Sequence, residues 1–288
     1  MKKTDINKIG VIGAGTMGLG IAQIAAMADF EVVLYDLNEQ ALEKAKTQIS
    51  KNLDGAISRN KIDETQKEQT LSRLLFSTEF NDLKADLFIE AIVEDVKVKQ
   101  KLFSKLAKQN DDSAIFATNT SSIPVVKIAA KIPHPERVIG MHFFNPAHIM
   151  KLVEVVSAPL TSEAAEATIF ELAERMEKKP VRVKDSPGFI VNRVARPYYL
   201  EALRIVEQNV VSVEAVDALM ESSGFKMGPF RLMDLIGIDV NFEVTRSMHK
   251  AFYYHPRFRP KRAQQQKVDA GHLGRKTGRG FYVYDSEP

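Results

Sequence analysis

Cysteine is absent from the 288 residues. That excludes disulfides, a thiolate nucleophile and cysteine metal sites, and no metal site of any kind is expected. A reducing compartment is compatible with the absence. No apolar run approaches the ~20 residues needed to cross a bilayer. The segment ahead of the first strand, Met1 to Asn7, is short and polar and leaves no room for a signal peptide. A cytoplasmic protein with no membrane partner is therefore the expectation. A large excess of charge of one sign is also lacking. A net charge of +3 does not demand nucleic acid, and the basic C-terminal stretch around Arg257, Arg259, Lys261 and Arg262 matches no basic motif. Neither an internal repeat nor a low-complexity segment is present. Apolar content is 44% and charged content 27%, enough for a full core and unlike a disordered chain. The length suits one large domain or two smaller ones.

Lys8 to Ile12 reads as a strand, Gly15 to Met27 as a helix, and Glu31 to Tyr35 as a second strand ending at Asp36. Strand, glycine turn, helix, strand is a βαβ unit with a parallel sheet. Ala41, Leu42, Ala45, Ile49, Leu53, Ala56 and Ile57 then follow a helical period, with a turn at Asn60-Lys61 and a second helix over roughly 63–75. This predicts a helical hairpin over about 39–75. Further strands are expected at 87–91, 115–118, 138–141, 152–156 and 181–183, separated in part by helices near 97–108 and 162–177. Asp185-Ser186-Pro187 is a helix start, with proline at the first helical position. Beyond it nearly everything reads helical: roughly 187–208, 212–222, 232–253 and 259–270, with Gly224, Gly228-Pro229, Gly237 and Pro256 as breaks. The expected architecture is α/β, a Rossmann-type doubly wound sheet over 1–186 with a helical-hairpin insertion. An all-α C-terminal domain over 187–288 follows.

Gly13-Ala14-Gly15-Thr16-Met17-Gly18 matches G-x-G-x-x-G. Alone the pattern is weak. Here it follows a strand, opens a helix and has Asp36 eighteen positions later at the end of the next strand. The glycines permit a tight turn and close backbone approach, and the helix N-terminus offers unpaired N–H groups to a pyrophosphate. Asp36 would accept from the adenine ribose 2′-hydroxyl. No arginine follows in Leu37-Asn38-Glu39, so NAD is expected rather than NADP.

His142 and Glu154 stand twelve positions apart, each in an apolar strand-like run, with a short connection through Pro146. Strands joined that way can return side by side, so the carboxylate can reach the imidazole. A histidine oriented by a buried carboxylate is a general base poised near neutral pH. The other histidines, at 134, 148, 249, 255 and 272, lack that combination of strand end and partner. By pattern alone a buried structural pair serves as well as a catalytic one. Asn119-Thr120-Ser121-Ser122 follows another strand, where hydroxyls and an amide can orient an alcohol or a nicotinamide, or simply cap a turn. Asn192 falls in the first turns of the helical domain. A base together with a nicotinamide cofactor points to an alcohol dehydrogenase. A non-CoA β-hydroxyacid or sugar-acid dehydrogenase and a non-catalytic NAD-binding protein remain as other readings.

Taken together, these segments resemble the short-chain (S)-3-hydroxyacyl-CoA dehydrogenases, often called 3-hydroxybutyryl-CoA dehydrogenases. The likeness extends to Ile89-Glu90-Ala91-Ile92-Val93-Glu94, Gly140 to Pro146, Met150 to Val155, Pro187 to Arg193, Met227 to Phe230 and Leu273 to Tyr282. It implies NAD-dependent oxidation of a 3-hydroxyacyl-CoA, or the reverse reduction, in fatty-acid metabolism and β-oxidation. His142 would be the base, Glu154 its orienting carboxylate, and Ser121 and Asn192 the holders of the substrate oxygens. Glu94, Lys99, Asn119, Ser121, Asn145 and Lys276 would join the glycine turn and Asp36 in holding NAD. The hairpin would help bind coenzyme A through Asn52 and Arg59, together with Ser121. A homodimer through the C-terminal domain is implied as well. Asp234 to Phe242 and Tyr253 to Pro260 resemble the branch acting on 3-hydroxyadipyl-CoA in aromatic-compound degradation.

Overall fold

Leu87–Glu90 and Val138–Phe143 are near-continuous apolar runs, and both are buried along their whole length in the computed structural model, which describes residues 6–284. Such runs suit strands covered on both faces by helices. They belong to one eight-stranded sheet: β1 (Lys8–Ile12), β2 (Glu31–Tyr35), β3 (Leu74–Ser77), β4 (Leu87–Glu90), β5 (Ile115–Thr118), β6 (Val138–Phe143), β7 (Leu152–Ser157) and β8 (Lys179–Lys184). The order is β3-β2-β1-β4-β5-β6-β7-β8. Strand order reverses between β1 and β4, which makes the carboxyl edge there the crevice where α/β sheets bind ligands. All pairings are parallel except β6 with β7, so the sheet is mixed rather than parallel throughout.

The helices of this part are α1 (Thr16–Met27), α2 (Glu39–Ile57), α3 (Glu64–Ser72), α4 (Val96–Gln109), α5 (Val125–Ala129) and α6 (Glu163–Arg175). The hairpin is α2 and α3. Leu42, Ala45, Ile49 and Leu53 form the buried stripe of α2, and Asn38 caps its start through the Gln40 N–H. Asp63 and Gln66 make a reciprocal capping box on α3. The helix expected over 63–75 stops at Ser72. Leu74–Ser77 instead pairs with Val32–Tyr35 as an edge strand, because a waiting strand partner outweighs local helical periodicity.

Contacts divide the chain between Ser186 and Pro187 into two compact units. The second unit, taken by itself, holds α7 (Val191–Glu207), α8 (Val213–Ser222), α9 (Pro229–Ile236), α10 (Ile238–Ala251) and α11 (Arg262–Asp269) around Tyr199, Leu203, Phe230, Met233 and Ile238. The helix expected from 187 begins only at Val191, since Gly188 and Phe189 sit at φ +72° and +49°. The helical stretch expected over 232–253 is divided at Gly237, one of the expected breaks, which adopts φ +100°. Among the described residues no helix is long and apolar enough to cross a membrane.

Candidate active site

The turn between β1 and α1 lies at the carboxyl edge of the sheet. Gly13 adopts φ +102°, and its N–H donates to the Tyr35 carbonyl at 2.8 Å. A Cβ on Gly18 would lie 1.7 Å from the Gly13 carbonyl oxygen, so the helix closes directly onto the turn. A Cβ on Gly15, by contrast, would meet no heavy atom within 4 Å, and no side chain caps α1. Open space beside uncapped helix N–H groups fits a pyrophosphate. Ala14 is buried in the turn, Thr16 is exposed, and Met17 packs against the core. Asp36 accepts the Ala14 N–H at 2.7 Å and the Asn38 N–H at 2.9 Å. The carboxylate is thus pinned where a ribose 2′-hydroxyl can donate to it and a 2′-phosphate would be repelled.

His142 and Glu154 are directly opposite one another in the antiparallel β6–β7 register. Imidazole Nδ1 lies 2.8 Å from Glu154 Oε2, with His142 6% and Glu154 1% exposed. A carboxylate at Nδ1 fixes the tautomer that carries hydrogen there and puts the basic lone pair on Nε2. The Phe144 ring stands 4.6 Å from the imidazole, centroid to centroid. Asn119, just past β5, accepts the Phe143 N–H at 2.9 Å and so ties the end of β5 to β6 beside the histidine. Asn145 is exposed just past β6, at a cis bond to Pro146.

A second cluster joins the ends of β4 and β5. Glu94 accepts from the Thr120 hydroxyl, from the Ser121 N–H at 3.2 Å, and from the Ser122 N–H and hydroxyl at 3.3 and 3.0 Å. Burial works to raise its carboxyl, but the Lys99 ammonium and these hydrogen bonds outweigh it and hold the group below its ordinary value. Lys99 is 1% exposed; its Nζ lies 3.2 Å from Glu94 and 2.6 Å from Glu90. Lys99 is therefore enclosed between two carboxylates. Sequence reasoning gave no role to Glu90. The available signals were a carboxylate in a wholly buried strand and a lysine sharing the buried stripe of α4 with Phe103 and Leu106.

Asn52 and Arg59 line a cavity of about 650 Å³ between the hairpin, the end of α1 and the loops around His148 and Lys178. Seven lysine and arginine side chains line it, against Asp29 and Glu177 as the only carboxylates in its wall. Asn52 donates to Gln23 at 2.9 Å. Lys178, 7% exposed, donates to the Ala147 and Met150 carbonyls at 2.7 and 3.1 Å. Burial, reinforced by Lys151, lowers its ammonium to about 8. Burial, Lys178 and Arg59 also lower the His148 imidazole. The excess of cations over carboxylates in this lining favours a polyanion as occupant. His148 and Lys178 were not read as site residues, because neither sits in a motif.

Asn192 and Lys276 belong to the second unit. Asn192 is half-buried in the first turn of α7. Lys276 lies 2.6 Å from Asp239 in the first turn of α10. Burial works to raise the Asp239 carboxyl, and the hydrogen bond from Lys276 is foremost among the effects that lower it overall.

A reversing α/β sheet, an open glycine cradle and a pinned acidic residue after β2 define a dinucleotide-binding protein with an oriented histidine on the same sheet. The family model "3-hydroxyacyl-CoA dehydrogenase, NAD binding domain" matches residues 8–186, and "3-hydroxyacyl-CoA dehydrogenase, C-terminal domain" matches 188–284. The chain belongs to the 3-hydroxyacyl-CoA dehydrogenase family, and its cofactor is NAD. It is 47% identical over 285 residues to a 3-hydroxyadipyl-CoA dehydrogenase of Escherichia coli K12, covering 98% of this chain and 60% of that protein. The chain thus spans about three fifths of the length of that relative. A 3-hydroxybutyryl-CoA dehydrogenase of Mycobacterium tuberculosis H37Rv is 42% identical over 283 residues, covering 97% of this chain and 99% of the relative. The crystal structure of an (S)-3-hydroxybutyryl-CoA dehydrogenase from Ralstonia eutropha superposes with a TM-score of 0.94 at 38% identity, covering 98% and 100%.

Proposed function

We propose that this protein interconverts (S)-3-hydroxyacyl-CoA and 3-ketoacyl-CoA with NAD. The observation that carries the reading is the buried His142–Glu154 pair, 2.8 Å apart, on the sheet that bears the glycine cradle. In the oxidative direction His142 Nε2 takes the proton of the 3-hydroxyl, and Glu154 stabilises the imidazolium through Nδ1. Bound NAD⁺ supplies the acceptor for the hydride leaving C3. The Ser121 hydroxyl and the Asn192 amide are assigned to the substrate oxygens. The cationic cavity under the hairpin is assigned to the phosphates of coenzyme A.

Absorbance of NADH tests the reading directly. With acetoacetyl-CoA, rapid consumption of NADH and little of NADPH is expected, because Asp36 would face a 2′-phosphate without a compensating cation. Equal use of both would discard the Asp36 assignment. No consumption on acetoacetyl-CoA or on 3-ketoadipyl-CoA would sink the acyl-CoA reading. The dicarboxylic substrate is the second reading, favoured by the 47% identity to a 3-hydroxyadipyl-CoA dehydrogenase.

Arg59 gives a test of the cavity. It is exposed at the end of the hairpin's first helix, so replacing it leaves the core untouched. Arg59→Ala should raise KM for acyl-CoA about tenfold with kcat near wild type, the size of one hydrogen bond to a charged group. KM for a pantetheine thioester, which lacks the adenosine phosphates, should not move. Equal changes for both thioesters would place the phosphates elsewhere.

A further inference from the structure

We infer that Glu90 is a positioning residue that sets the charge presented by Glu94 to the nicotinamide, and through it the preference of the site for NAD⁺ over NADH. The inference rests on the NAD site but not on the identity of the acyl substrate. Glu90 is fully buried at the end of β4. Its Oε1 accepts from Lys99 Nζ at 2.6 Å and from the Ile92 N–H at 2.7 Å, while Oε2 accepts from the Thr118 hydroxyl at 2.7 Å. Both oxygens of the carboxylate are therefore held by donors. Lys99 reaches Glu94 at the longer distance of 3.2 Å. Of the three charged side chains only that of Glu94 reaches solvent, at 38% exposure against 0% for Glu90 and 1% for Lys99.

The place of this cluster in the sheet gives it a role. With the pyrophosphate at the turn after β1 and the adenosine end at Asp36 after β2, the nicotinamide end falls on the opposite side of β1. That side is the carboxyl edge of β4 and β5, where Glu94 and Ser121 lie. The oxidised nicotinamide ring is a cation and the reduced ring is neutral. Two carboxylates sharing one ammonium carry a net negative charge, which favours the oxidised ring. Glu90 holds the ammonium inward. Without its charge Lys99 has Glu94 alone, and the outward-facing carboxylate is neutralised.

The test is the ratio of dissociation constants for NAD⁺ and NADH, measured by calorimetry on the full-length protein with no acyl-CoA present. An enzyme that binds both cofactors normally yet turns over no acyl-CoA would fail the proposed function and leave this inference standing. In Glu90→Gln the ratio Kd(NAD⁺)/Kd(NADH) should rise about tenfold, the effect of one unit charge at roughly 10 Å in a partly buried site. In Glu90→Gln/Lys99→Met the triad again carries a net charge of minus one, that of Glu94 alone, and the ratio should return to within about twofold of wild type, because the net charge facing the ring is restored. Equal weakening of both cofactors in the single variant would make Glu90 merely structural and overturn the inference. So would a shifted ratio in the double variant, which removes both buried charges and carries the test by itself if the single variant does not fold.

Discussion

Replacing His142 by Gln is expected to lower turnover by about two to four decades in both directions, the usual contribution of a positioned acid–base group. Glutamine keeps much of the volume and an N–H able to donate to Glu154. The pair it enters is 6% and 1% exposed, so a smaller residue would leave a cavity and cost Glu154 its 2.8 Å contact. Glutamine avoids most of that cost but cannot carry the proton. Cofactor binding should therefore stay near wild type while kcat falls. The two readings of the pair separate here. A purely structural pair predicts a lowered melting temperature with turnover retained per folded molecule, and that result would remove His142 as the base. A second readout follows from proton balance. Oxidation needs the neutral imidazole and reduction needs the imidazolium, so the two chemical steps should respond to pH in opposite senses. The variant should lose that opposition.

That pair was legible in the sequence because its geometry is local. Twelve residues containing one short connection bring β6 and β7 into antiparallel register, and register alone sets His142 opposite Glu154. The glycine turn was legible for the same reason, since β1, the turn and α1 are consecutive. What escaped depends on partners far along the chain. Leu74–Ser77 continues a helical period, yet the strand it pairs with lies some forty residues upstream. The contact of Lys99 with Glu90 appears only when α4 packs onto the end of β4. The cationic cavity draws on α1, the hairpin, the loop at His148 and the segment at Lys178, and no short window contains that combination. Gly237 is legible as a break from its residue type alone, and its φ of +100° ends one helix and begins the next.

Gly18→Ala should weaken NADH binding by about a hundredfold or more, about 3 kcal/mol at 1.4 kcal/mol per decade. The added methyl would sit 1.7 Å from the Gly13 carbonyl oxygen and 2.8 Å from its carbonyl carbon, both backbone atoms. Relief requires the turn to move, and the turn is held on each side. The Gly13 N–H is bonded to the Tyr35 carbonyl and the Ala14 N–H to Asp36. On its other face a Cβ at Gly13 would already lie 2.6 Å from the Ala91 oxygen. Displacing the turn therefore breaks the pinning of Asp36 and distorts the cradle together, with an overpacking cost of about 1–3 kcal/mol in stability as well. Gly15→Ala separates these two effects. Its methyl enters open space, so the melting temperature should hold, while the methyl fills the volume left for the pyrophosphate and affinity still falls. Fluorescence titration of NADH alongside thermal unfolding reads both quantities. If Gly15→Ala binds NADH as tightly as wild type, the open space at Gly15 is not where the pyrophosphate lies. If Gly18→Ala does so too, the turn is not the cofactor cradle.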